Sequence, residues 1–216
     1  HHKHSRVSSL YHKIFTLYLG KYTGVEMKKR LFIGVRVSPE ILVNLTRIQD
    51  SLKKEFGFPG IRWVNPGLMH ITLKFLGDVE TAIIPNISTS MHTLASAQNS
   101  FDLTLKGLGF FGSGKSLRTI WLGSVPSADL HKLFKEVDAA TNKLIINKSQ
   151  SYSPHITLGR VSDFVKSDQI EKIRTYIMAH DKVEVGSYQV DSFELIESQL
   201  SAQGPIYKTI QLFKLG

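Results

Sequence analysis

His70 and His155 each open the same four residues, His-Ile-Thr-Leu, with the two copies 85 residues apart. Thr72 and Thr157 follow their histidines by two positions. Side chains alternate between the faces of an extended strand, so each histidine and its threonine point one way and the Ile and Leu of the same tetrad point the other. Imidazole titrates near neutral pH. Of two imidazoles in one groove, one can accept a proton while the other donates one, which is what in-line displacement at a phosphodiester requires. Each threonine hydroxyl can donate to a non-bridging phosphoryl oxygen as negative charge grows there. One His-X-Thr on a strand is usually the wet face of a half-buried sheet; two in matched context form a candidate acid and base pair. Zinc chemistry would call for three or more ligands, and neither copy has a carboxylate or a further histidine beside it. The expected mechanism therefore uses no metal and no cofactor.

Strict alternation also sorts the neighbours. Lys74 falls on the face of His70 and Thr72, as a solvated strand residue or, secondarily, a phosphate contact, while Phe75 falls with Ile71 and Leu73. Arg160 falls with Ile156 and Leu158, and reaches the other face only if the strand bulges at Gly159. His92, His131 and His180 lie in or beside helical patterns and read as surface residues.

The elements that must position the pair follow from apolar spacing. Leu31 to Val37 reads as a strand, and Pro39 opens a helix whose Ile41, Leu45, Ile48, Leu52 and Phe56 share one face. Arg62 to Val64, a turn at Asn65-Pro66-Gly67 and the first tetrad strand come next. A helix is expected between Val79 and Gln98, with Pro85 in its first turns. Phe101, Leu103 and Leu105 alternate as a strand, separated from a strand over 118–124 by the glycine-rich "GLGFFGSGKS". A helix through Leu130, Leu133, Phe134, Val137 and Leu144 precedes the second tetrad. Another carries Ile170, Ile173 and Ile177, and Tyr188 to Glu197 and Ile206 to Leu215 read as closing strands. Each tetrad strand thus follows a helix and precedes a helix and further strands, the order of a duplicated α+β fold whose two sheets face one another.

Composition agrees with an ordinary globular chain: 42% of its 216 residues are hydrophobic and 21% charged, enough apolar material for a sizeable core. The absence of cysteine excludes disulfides and thiolate metal sites and permits a cytoplasmic location, which is the expectation. No apolar run is long enough to span a bilayer. Residues 1–26 are rich in His and Lys, lack the small-residue cleavage site of a secretory signal, and read as an added or upstream-translated leader before a single domain over 27–216. The leader carries Lys3, Arg6, Lys13, Lys21 and Glu26, so +6 of the formal net charge of +9 belongs to the domain. A basic domain of this kind suits a polyanion such as RNA. No protein partner is indicated, and a monomer is expected.

The stretches "RLFIGVRV", "RWVNPGLMHITLKFLGDV", "LKGLGFF", "IWLGS", "SPHITLGRV", "FELIESQL" and "GPIYKTIQLF" together resemble the RNA 2′,3′-cyclic phosphodiesterases, also known as 2′-5′ RNA ligases, of the two-histidine (2H) phosphoesterase superfamily. The resemblance runs in order from about Leu31 to the C-terminus. It implies a bilobal α+β duplication with the site in the groove between lobes and helices outside. It also implies hydrolysis of a terminal RNA 2′,3′-cyclic phosphate to a 2′-phosphate, with reversible ATP-independent 2′-5′ joining as the related reaction. By the same resemblance His70 is the proton donor and His155 the acceptor, Arg160 matches an arginine after the second tetrad, and Tyr152 matches an aromatic three residues before the second histidine that could stack on a base. Two alternatives stay open on the residues alone: a 2H phosphoesterase acting on a small cyclic phosphate, such as a nucleotide or ADP-ribose derivative, and a non-catalytic nucleotide- or RNA-binding module.

Overall fold

The computed structural model describes residues 27–113, 116–145 and 151–216; residues 1–26, expected as a leader, lie outside the described residues. Nine strands and four α-helices alternate along this part of the chain: β1 (Lys28–Arg36), α1 (Pro39–Glu55), β2 (Ile61–Trp63), β3 (His70–Glu80), α2 (Ile84–Ser96), β4 (Phe101–Phe111), β5 (Thr119–Ser124), α3 (Ala128–Asn142), β6 (His155–Val161), α4 (Ser167–Ala179), β7 (Glu184–Val190), β8 (Ser192–Ser201) and β9 (Gly204–Lys214).

The helices begin where local chemistry favours it. Ser38 and Ser127 accept hydrogen bonds from Ile41 N and Leu130 N, satisfying amide groups that the first turns of α1 and α3 leave open. Ile41, Leu45, Gln49 and Leu52 form the buried stripe of α1, and Leu130, Leu133, Phe134 and Val137 that of α3. Fully burying each such aliphatic chain contributes about 1.5 to 3 kcal/mol before the entropy of ordering it is subtracted.

The strands form one nine-stranded sheet in the order β7-β4-β5-β6-β3-β1-β8-β9, with β2 paired to β6, and the order reads as two four-stranded antiparallel halves side by side. The two expected sheets are these halves, and they meet where Ile71 pairs with Ile156 across β3 and β6. Helices α2 and α3 pack on each other and on the half containing β3 and β9, while α1 and α4 lie against β7 and β4 of the other half. Each of α1 and α3 therefore follows a strand of one half and covers the opposite half, which binds the two together into a shared core.

Three boundaries differ from the sequence expectations. The strand β3 runs on to Glu80, and α2 starts only at Ile84 after a short turn of 3-10 helix. The glycine-rich stretch is half strand: β4 continues to Phe111 because Gly107, at φ 90°, absorbs an extra residue as a bulge between Leu105 and Leu108. The expected strand from Tyr188 to Glu197 is two strands, broken at Asp191, where the chain crosses from the edge beside β4 to the place beside β1. Periodicity does not register that crossing because both strands keep their alternation.

Candidate active site

Ile71 and Ile156 are fully buried and directly opposed, so their strand neighbours turn together toward the opposite face. Antiparallel direction puts His70 on the side of Thr157 and Thr72 on the side of His155. One cavity is in fact lined by both Thr72 and His155. The two histidines and two threonines are thus brought together as expected, by the pairing of the two tetrad strands.

Each tetrad ends in a bulge, and the bulges decide what comes next on the groove face. The register of β3 against β1 passes from Thr72 to Lys74 and skips Leu73; that of β6 against β5 passes from Thr157 to Gly159 and skips Leu158. One extra residue reverses the alternation beyond it. Arg160 accordingly comes round to the face of Thr157, and its charge acts on both histidine rings. The bulge occurs one residue earlier than the position considered at Gly159. It is held there by the Leu158 carbonyl, which accepts from Val64 N at 2.9 Å and from Nε2 of the buried Gln49 at 2.9 Å.

The same reversal overturns the expectation for Lys74. It is fully buried, pairs with Asp138 and donates to Asn142 Oδ1 at 3.1 Å, both on α3. It anchors β3 to that helix on the side away from the groove and is no phosphate contact. Phe75, expected in the core, takes the groove position instead, with 54% of its surface exposed.

His70 Nδ1 lies 2.7 Å from the Leu68 carbonyl, which can only accept, so Nδ1 carries the proton in the neutral ring. Its Nε2 then accepts from the Thr72 hydroxyl at 3.0 Å. His155 Nδ1 makes the equivalent 2.7 Å bond to the Ser153 carbonyl. Both rings therefore offer Nε2 to the groove. Burial lowers the His70 pKa to about 4, the Leu68 bond opposing and the charges of Arg36, His155 and Arg160 adding to the fall. His155, less enclosed, is lowered by burial and by Arg160 against the Ser153 bond. Without an anion in the groove both rings are neutral at pH 7.

Four further residues shape the site that sequence patterning had not singled out. Arg36 is the cross-strand partner of His70 on β1 and is tied to Glu194 Oε2 at 3.3 Å; alternation along "RLFIGVRV" places it opposite Leu31, Ile33 and Val35, a usable signal. Phe32 and Tyr207 enclose the His70 ring, with centroids 4.7 and 5.5 Å away, but Tyr207 comes from β9 at the far end of the chain. Phe111 meets His155 edge-on at 4.7 Å, a role hidden while its stretch reads as loop. Tyr152 lines the cavity with Phe75, Phe111, Phe134 and His155, about 360 Å³ in volume. Its ring stacks on His131 at 4.5 Å, which makes His131 a backing group of the pocket rather than a plain surface residue. His92 and His180 are exposed. Among the described residues no three His, Cys, Asp or Glu side chains cluster as metal ligands, and no helix is long and apolar enough to cross a membrane.

The sequence matches the family model described as LigT like Phosphoesterase over residues 35–121 and 123–207, one stretch for each tetrad. It is 30% identical to an RNA 2′,3′-cyclic phosphodiesterase of Methanothermobacter thermautotrophicus, over 88% of this chain and 100% of that one. A protein of the same description from Thermotoga maritima is 34% identical, over 84% and 92%. Among solved structures, TT0787 of Thermus thermophilus superposes with a TM-score of 0.73 at 25% identity, covering 86% of this chain and 97% of that one. Escherichia coli LigT has the same fold, with a TM-score of 0.68 at 24% identity over 88% and 99%. With both halves matched and both tetrads in the one groove, the chain belongs to the LigT-like phosphoesterases of the 2H superfamily.

Proposed function

We propose that this protein hydrolyses the 2′,3′-cyclic phosphate at the end of an RNA strand to a 2′-phosphate, using His70 and His155 as acid and base. The observation that carries this reading is the opposition of the two His-X-Thr strands, which turns two imidazole Nε2 atoms and two hydroxyls into one groove between Arg36 and Arg160. The relatives described as RNA 2′,3′-cyclic phosphodiesterases support the choice of ester.

In the proposed reaction His155 Nε2 takes a proton from water, the water oxygen bonds to phosphorus, the P–O3′ bond breaks, and His70 Nε2–H protonates the departing O3′. With a ribose 5′-hydroxyl attacking in the place of water, the same exchange joins two ends through a 2′-5′ linkage without ATP, and run backward it breaks that linkage. Thr72 and Thr157 donate to the non-bridging oxygens. Neutral His70 must first gain its proton, and the substrate supplies the reason: a unit negative charge about 4 Å away at an effective dielectric near 20 is worth about 4 kcal/mol. That suffices to lift a pKa near 4 to about 7. The pocket walled by Phe75, Phe111, Phe134 and Tyr152 suits the terminal nucleoside.

The testing experiment is incubation with an oligoribonucleotide ending in 2′,3′-cyclic phosphate, in excess chelator, with the product isomer identified. Full conversion to the 2′-phosphate is expected. Abolition by chelator with rescue by a divalent ion, or release of the 3′-phosphate isomer, would overturn the scheme.

A further inference from the structure

At the end of β6 beyond the second tetrad lies a second cleft of about 450 Å³, lined by Gly60, Ile61, Arg62, Arg160, Val161 and Ser162. Arg62 and Arg160 are direct cross-strand partners on β2 and β6, so their side chains leave the sheet on the same face. Ile61 and Trp63 turn the other way, packing over Gly159. Two guanidinium groups at this spacing repel one another, and like charges directly opposed weaken a strand pair. Among the described residues no carboxylate relieves either one. The same cleft holds a second uncompensated group: the Ser162 hydroxyl is buried without a hydrogen-bond partner, although its backbone N–H is satisfied by Gly60 O at 2.8 Å.

An anion answers both observations. A phosphate oxygen can accept from a guanidinium fork and from a hydroxyl at once, and it cancels the repulsion between the arginines. Position says which phosphate. Arg160 acts electrostatically on His70 and His155, whereas Arg62 is absent from the charges that depress either ring; the cleft is one step out from the reacting phosphorus. We propose that Arg62, with Arg160 and Ser162, forms a subsite for the internucleotide phosphate next to the cyclic end, so that the enzyme grips an RNA strand rather than a lone nucleotide. This rests on the reading of the groove as a cyclic phosphodiesterase site and adds the strand's second phosphate to it.

The test is equilibrium binding of a trinucleotide ending in a 2′-phosphate, and of a nucleoside 2′-phosphate, across a series of salt concentrations. Arg62→Ala should weaken the trinucleotide by about 10-fold at low salt and flatten its log Kd against log salt slope by about 0.7, the single-strand value for one phosphate contact. The mononucleotide should lose far less. Arg62→Lys keeps the charge and should keep the slope. Equal weakening of both ligands by Arg62→Ala, an unchanged slope, or the same slope change in Arg62→Lys would overturn the subsite. Turnover of a nucleoside 2′,3′-cyclic phosphate by the unsubstituted protein reports on the catalytic reading alone, so the two can fail separately.

Discussion

Ile71 and Ile156 face each other across β3 and β6, and through this pair the two halves of the sheet meet. Both are buried, and from their pairing the groove follows: a core contact on one side of the sheet dictates that His70, Thr72, His155 and Thr157 converge on the other. A register slip of one residue in either strand would turn that strand's histidine and threonine inward and break the convergence.

The first expected outcome concerns stability and pH. His70 titrates at about 4 in the folded protein against about 6.5 when unfolded. Between those values the unfolded chain binds more protons, so stability rises with pH. The contribution present above about pH 6.5 is lost as pH falls toward 4, and amounts to about 3 kcal/mol at full extent. Denaturant unfolding at pH 7 and 4.5 should show a steeper loss for the unsubstituted protein than for His70→Gln; identical losses would contradict the burial of a neutral imidazole.

The second concerns proton uptake. If the substrate's negative charge is what protonates His70, binding of a nucleoside 2′-phosphate near pH 7 draws protons from buffer. Titration calorimetry in buffers of different ionisation enthalpy should give heats that vary with the buffer. The kcat/KM profile, which reports the free enzyme, should be a bell centred below that of kcat, with both limbs belonging to the coupled pair. Buffer-independent heats and coincident profiles would contradict it.

Lys74 gives a third outcome. Its charge is fully buried against Asp138, so Lys74→Ala should cost about 3 to 5 kcal/mol by stranding the carboxylate. Lys74→Met with Asp138→Leu should recover much of that. In folded protein the kcat should change little, because the side chain points away from the groove; a large kcat loss in the stable double variant would contradict this placement.

For Tyr152 the wall position predicts a binding effect felt by the terminal nucleoside itself. Tyr152→Ala should raise KM about 10-fold, in line with about 1 to 3 kcal/mol per stacked base, and to a similar degree for mononucleotide and oligonucleotide. A loss confined to oligonucleotides would move Tyr152 to a more distant base.

The histidines and threonines were legible because a duplicated tetrad on two alternating strands leaves little freedom in where those side chains point. What lay one step beyond each tetrad was not. The bulges at Leu73 and Leu158 exchange the faces of Lys74 and Phe75 and bring Arg160 into the groove, yet a bulge leaves no composition signature when the residues around it are all good strand formers. Asp191 likewise marks a crossing from one half of the sheet to the other inside what reads as one strand. Tyr207 and Phe111 touch the histidines through strand order, which is a property of the whole chain and not of any window of it.

Paired action of His70 and His155 is tested most directly by the kinetics of His70→Ala, His155→Ala and the double variant on an oligoribonucleotide 2′,3′-cyclic phosphate, with folding checked by denaturant unfolding. Each single substitution should lower kcat about 10²-fold or more, and the double variant should be scarcely slower than the slower single one, as expected of groups acting as a unit. A folded single variant with near-normal kcat, or losses that multiply in the double variant, would contradict the two-histidine mechanism.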